Sequence, residues 1–292
     1  MSEFLSFLPP PGKVLAGYNS RQLHTEQIES IPEVFRHAMS IRESVYVEEQ
    51  KVPLENEFDD DDPRSYHWVA YASVGTSGGS GEQKDTDTAD TSTRVGQSRD
   101  STGDSDKAQE QASQGRKSST ANKVAVGTIR LVPPPHPPHP EPGSSHKIDN
   151  AEGTQPDVNV GEQNAQHHYT GPEPYIKLGR LAVLQPFRGL GLAALLINAA
   201  LQWAAQNPNA ILPPMTAAAA EHRRLELGGG AEVDDLWKGL VLVHAQKAIE
   251  KVWKRYGFTT DESMGVWDEE GIDHIGMWRR LDVSAQARKA SV

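Results

Sequence analysis

Between Leu178 and Ala193 an apolar run, Leu178-Gly179-Arg180-Leu181-Ala182-Val183-Leu184, meets Gln185-Pro186-Phe187-Arg188 and then Gly189-Leu190-Gly191-Leu192-Ala193. A strand that turns at Pro186 and enters a helix through two glycines exposes backbone N–H groups at the positive end of the helix dipole. That arrangement binds anions, phosphates above all. Gly189 and Gly191 allow close approach of the ligand, and Arg188 adds charge. Elsewhere four side chains have the chemistry to move protons: the carboxylates Glu57 and Asp59, the imidazole of His274 and the phenol of Tyr256. The bland alternatives are a solvated acidic loop for Glu57 and Asp59, a turn or core hydrogen bond for His274, and plain packing for Tyr256.

These residues need a scaffold, and the composition shows which parts of the chain supply one. Of 292 residues 36% are hydrophobic, too few for the whole chain to form one core. Residues 75–122 are almost entirely Gly, Ser, Thr, Asp, Gln and Lys, and residues 133–174 open with a proline run; both are expected to be disordered insertions. Loop closure costs only about 0.6 kcal/mol per doubling of length, so such insertions fit inside a hairpin. Strands are expected at 13–18, 67–71, 124–132, 175–183, 240–243, 264–267 and 275–281. Helices are expected over 32–49, 190–205 and 245–256. A variable segment covers 207–237, and 1–12 and 284–292 read as flexible termini. The expectation is a single α/β (α+β) domain over 13–283, a mixed central sheet flanked by helices.

Composition also excludes function classes. With no cysteine there is no disulfide, zinc knuckle or thiol nucleophile. A formal charge of -11 argues against broad binding to nucleic acid or anionic membrane. No apolar run is long enough for a membrane span or secretory signal, so a cytoplasmic protein is expected, a nuclear address reading alike. The histidines around the proline run, His136, His139, His146, His167 and His168, lack metal-ligand spacing, and no metal is expected.

Three readings of the glycine loop stand. One is a strand-to-helix turn that binds nothing. The second is a dinucleotide fingerprint, since Gly189 to Ala194 fits G-x-G-x-x-A, but the acidic residue required about twenty positions on is replaced by Ile211-Leu212-Pro213-Pro214. The third is coenzyme A. Arg188, Gly191 and Ala193 fill the Q/R-x-x-G-x-G/A positions of motif A of the GNAT superfamily, which the stretch resembles. Arg42 to Gln50 with Pro53 and Glu57 to Asp62 resembles the R-x-x-V-F-V-x-E-Q-x-x-P…E-x-D pattern of a small branch of that superfamily. Val126 to Leu131 resembles its third strand, and Ala245-Gln246 through Gly257-Phe258 and Gly271 to Met277 resembles A-Q…G-F…G-I-x-H-x-x-M.

The resemblance implies a GNAT-like fold in which two central strands splay to admit the pantetheine arm. It implies that the backbone of Leu181, Ala182 and Val183 bonds the pantetheine amides and that Arg188, Gly189, Leu190, Gly191, Leu192 and Ala193 hold the pyrophosphate. The implied reaction is direct transfer of an acetyl group from acetyl-CoA to a primary amine of a small metabolite, such as an amino sugar phosphate or polyamine, or of a protein. Homodimerisation is an expectation by family analogy. One departure stands out: Trp253 occupies the position at which many relatives carry the tyrosine that protonates the thiolate, with Tyr256 the nearest phenol. An indole N–H donates a hydrogen bond but does not usefully release a proton. The second functional reading is therefore a catalytically weak acyl-CoA-binding sensor or interaction module.

Overall fold

The computed structural model describes residues 4–74, 122–146, 173–212 and 237–283. The chain divides into two compact units, Met1–Ala72 with Ala125–Val292, and Ser73–Val124. The first carries the architecture and the site. Of the second, the described residues are the ends of two strands.

The strands are β1 (Leu5–Leu8), β2 (Tyr66–Val74), β3 (Asn122–Val132), β4 (Ser145–His146), β5 (Ile176–Val183), β6 (Leu240–Gln246), β7 (Thr259–Thr260), β8 (Val266–Glu269) and β9 (Ile272–Arg280). They form one sheet in the order β1-β2-β3-β5-β6-β9-β8-β4, with β7 against β9. The β5–β6 pair at its centre is parallel, as is β4–β8, and β3–β5, β6–β9 and β8–β9 are antiparallel. The helices are α1 (Glu33–Arg42), α2 (Leu192–Gln206), α3 (Pro208–Ile211) and α4 (Glu250–Arg255).

Side-chain alternation along the strands divides the core into two faces. Trp68, Ile129, Ile176, Val241, Val243 and Met277 bury one face against Leu196, Ile197 and Ala200 of α2 and Trp253 of α4. On the opposite face α1 lays Ala38 and Ile41 over Val69 and Ala182. Beyond Arg42 the helix widens into a π-helical turn over Glu43–Glu49, closed by Gln50 N–H donating to Val45 O at 3.2 Å.

Several expectations change. Residues 13–18 fall in a 3₁₀ helix over Gly12–Gly17 instead of a strand, and the first strand is Leu5–Leu8, inside the segment read as a flexible terminus. It pairs antiparallel with β2, and Phe7 stacks between Tyr66, Trp68 and Trp203. The helix expected from Ala245 begins only at Glu250, because β6 runs on to Gln246 beside His274 of β9. Residues 133–146, assigned by composition to a structureless insertion, are ordered. Arg64 donates to the carbonyls of Pro133 and Pro135 at 2.7 and 2.8 Å, His136 is buried against Tyr175, and Ser145–His146 pairs with β8. Residues 75–121, 147–172, 213–236 and 284–292 lie outside the described residues. Among those described, no helix is long and apolar enough to cross a membrane.

Candidate active site

Strands β5 and β6 pair at only three positions, Ile176↔Val241, Lys177↔Leu242 and Leu178↔Val243. Both strands continue: β5 stays with β3 up to Val183, and β6 stays with β9 up to Gln246. The gap between them opens a cleft of about 420 Å³.

A bulge drives the divergence. Thr128 faces Ala182 and Arg130 faces Gly179, so Arg180 and Leu181 together oppose Ile129. Arg180 takes φ 51°, the left-handed conformation of an extra residue in a ladder. Past it the alternation shifts. Ile176 and Leu178 face α2, and then Leu181 and Val183 do, while Ala182 turns to α1. Leu184 N–H donates to Val126 O at 2.9 Å, so two residues back Ala182 also directs its backbone to β3. Leu181 and Val183 turn theirs to the cleft. Their carbonyls accept from Tyr46 Oη at 3.0 Å and Arg188 Nε at 2.9 Å, which leaves their N–H groups facing the gap.

At the end of β5 the chain makes a 3₁₀ turn over Gln185–Phe187 and enters α2. Gly189 and Gly191 take φ 81° and 82°, and a Cβ on either would meet nothing within 4 Å. Gly191 is the N-cap and offers no side-chain acceptor; Leu195 N–H reaches back to Gly191 O, so the first intrahelical bond begins there. The N–H groups of Leu192 to Ala194 precede it and point outward from the helix start. Leu190 is 70% exposed. Arg188 ion-pairs with Glu49 at 2.6 Å, which ties the loop to the widened end of α1. The loop thus has open space, undirected amides and a guanidinium, the features a pyrophosphate requires.

Of the proton-moving candidates, His274 alone stands at the cleft with its ring outside a network of arginines. Glu57 also lines the cleft but is 2% exposed and paired with Arg42 at 2.6 Å and Arg180 at 3.3 Å. Asp59 is 3% exposed, chelated by Arg130 at 2.5 and 2.8 Å and held by Arg180 at 2.9 Å. With Asp62, which Arg42 and Arg130 both contact, they form a cluster of three arginines and three carboxylates. Burial alone would raise the Asp62 pKa, but the two guanidiniums outweigh it and hold the carboxyl well below the usual range. Burial would lower the Arg42 pKa, and Asp62 and Glu57 reverse that. The solvated loop expected for Glu57 and Asp59 is therefore corrected to a buried ionic cluster, in which guanidiniums that cannot give up a proton hold Glu57 Oε1 and both oxygens of Asp59.

Tyr256 is also displaced. It caps α4, its carbonyl accepts from Arg279 at 2.5 Å, and its ring packs against the core away from the cleft lining. Trp253 does line the cleft, 3% exposed, with its ring edge-on to Phe258. The phenol that lines the cleft is Tyr46, whose hydroxyl donates to Leu181 O and whose pKa burial and then Glu57 push upward. Sequence reading missed Tyr46, Gln246 and Glu269, which enter through the widened turn, the overlong β6 and the β8–β9 turn. Among the described residues no group of His, Asp and Glu could hold a metal ion.

The sequence profile of the acetyltransferase (GNAT) family matches residues 120–225, which include β3, the bulged β5, the glycine loop and α2. No curated protein matches the chain. Similar solved structures include an acyl-CoA N-acyltransferase from Pseudomonas aeruginosa, 17% identical, covering 88% of this chain and 95% of its own, at TM-score 0.38. Escherichia coli ElaA is 14% identical over 94% of this chain and 98% of its own, at TM-score 0.40. Arabidopsis thaliana NAA60 in complex with a bisubstrate analogue is 12% identical over 96% and 99%, at TM-score 0.33. The family match thus falls on the β5 wall of the cleft and on the anion site, and over residues 120–225 the chain is similar to the acetyltransferase (GNAT) family.

Proposed function

We propose that the protein transfers an acetyl group from acetyl-CoA to a primary amine, directly and without a covalent enzyme intermediate. The observation that carries this reading is the divergence of β5 from β6 ending at the uncapped start of α2. Leu181 and Val183 would offer their N–H groups to the pantetheine amides, with Ala182 serving as wall, and Arg188 to Ala193 would hold the pyrophosphate. His274, which lines the cleft and has Ile272 O and Glu269 as its neighbours, takes the acceptor's proton. The acceptor amines in view are a polyamine, an amino sugar phosphate or a protein lysine.

A specific observation favours a second reading. The cleft's phenol is already donating to a backbone carbonyl, and Trp253 stands where an acid is expected. A protein that binds acyl-CoA and turns over slowly, as a sensor, fits that chemistry, since a general acid is worth about 10²- to 10⁴-fold. Titration calorimetry with acetyl-CoA, paired with thiol release over spermidine, glucosamine 6-phosphate and Nα-acetyl-lysine, separates the two. Binding with amine-dependent release is the expected result. Binding without release leaves the sensor, and no binding removes both.

A further inference from the structure

We infer that Glu269 and His274 act as a couple in accepting the amine's proton, His274 Nε2 being the base and Glu269 a positioning residue. The inference rests on the acyl-transfer reading above and adds to it a fixed tautomer and a second residue.

The hairpin that carries both residues is built tightly. Strands β8 and β9 are joined by Glu270-Gly271, both at positive φ, 55° and 81°, the turn whose twist matches antiparallel strands. Trp267 lies opposite His274 and Glu269 opposite Ile272, so Trp267, Glu269 and His274 share one face. Two bonds fasten this hairpin wall to the segment after α1: Asn56 Nδ2 to Glu270 Oε1 at 2.8 Å and, from the strand beside His274, Gln246 Nε2 to Gln50 Oε1 at 2.9 Å. Holding glutamate in the left-handed region costs energy, and here the strained residue aims its carboxylate at Asn56 across the cleft.

The ring orientation follows from one contact. His274 Nδ1 lies 2.8 Å from Ile272 O, and a carbonyl oxygen only accepts, so the contact places the proton on Nδ1. In the neutral ring the lone pair is then on Nε2. Glu269 Oε2 lies 3.6 Å from Nδ1, beyond a hydrogen bond but within ion-pair distance, on the side of the ring away from Nε2. The carboxylate is itself held by Trp267 Nε1 at 3.4 Å. His274 and Glu269 are 12% and 15% exposed, and both line the cleft.

The proton balance closes. An ammonium gives one proton to His274 Nε2, and the freed amine attacks the thioester carbonyl carbon, forming the C–N bond. The C–S bond then breaks, the sulfur leaves with the electron pair, and the second amine proton goes to the sulfur directly or through water. Amide and thiol are released, and His274 passes its proton to solvent.

Three measurements on the full-length protein test the couple. Long-range ¹H–¹⁵N spectra of the free protein should show His274 protonated on Nδ1; an Nε2–H tautomer overturns the inference. His274→Ala should lose about 10²- to 10⁴-fold in turnover of whichever ammonium acceptor, spermidine or Nα-acetyl-lysine, is used, with partial rescue by imidazole. Its deficit should shrink with methoxyamine, which is already neutral at pH 7, and Glu269→Gln should show a smaller loss of the same selectivity. An equal loss with both amines is a structural effect and sinks the proposal, as does the same selectivity in His244→Asn, the other imidazole of the cleft. Absence of acetyl-CoA binding by the wild type defeats the transfer reading instead, and the tautomer is read without any ligand.

Discussion

Two polar regions meet at this cleft, and they are opposite in kind. In the ionic cluster six charged side chains from α1, the acidic loop, β3 and β5 find charged partners within the chain, and most of their hydrogen-bonding capacity is spent on one another. At the start of α2, a few residues beyond β5, backbone amides point into open space and no side chain caps them. The denser charge is structural and the sparser one is the candidate site. What marks a binding site is hydrogen-bonding capacity that folding leaves unsatisfied, and net charge in the sequence is a poor guide to it.

The contrast is sharpest if the cluster is broken. Asp62→Ala strands Arg42 and Arg130 in the interior, and about 3–5 kcal/mol of unfolding free energy should disappear, read from urea denaturation. A loss under about 1 kcal/mol would mean that water already reaches the cluster. Next comes acid. His67 donates from Nε2 to Asp62 O, and burial, opposed by Asp62, depresses its pKa to about 4. The unfolded chain takes up this proton near pH 6.5 and the folded chain only near 4, so stability should fall across that window and level off below it. From pH 7 to pH 5 the loss is about 2 kcal/mol for His67, with a comparable share from His139, whose pKa burial and then Lys177 also lower to about 4. His67→Phe should flatten part of the slope, and an unchanged slope would assign it elsewhere. The open region responds through affinity. Arg188→Ala should weaken coenzyme A binding about tenfold with little change in melting temperature, because its ion pair with Glu49 is exposed. The reverse pattern, lost stability with intact affinity, would make Arg188 a clamp for the loop.

The strand, glycine loop and helix from Leu178 to Gln206 were legible in the sequence because their signals are local: apolar period, a turn proline, positive-φ glycines. The burial of Glu57 and Asp59 was not, since their partners Arg42, Arg130 and Arg180 are 15 to 123 positions away and Glu57-Phe58-Asp59-Asp60-Asp61-Asp62 reads by itself as a solvated run. Residues 133–146 escaped for a similar reason. Proline-rich chain has no core of its own, and its order comes from Arg64, from Tyr175 and from the edge of β8. His274 was legible as a residue type, but Glu269 became visible only when the hairpin register set it beside the imidazole.

The bulge at Arg180 has a consequence for how the cleft came to exist. Strand β5 is one residue longer than its pairing with β3 requires, and the surplus swings the rest of the strand away from β6. Removing Arg180 would restore the frame on both sides and let the two central strands zip together. The space for a cofactor is in that sense a length mismatch between neighbouring strands, kept open by a single supernumerary residue and pinned by the carboxylates that hold its side chain.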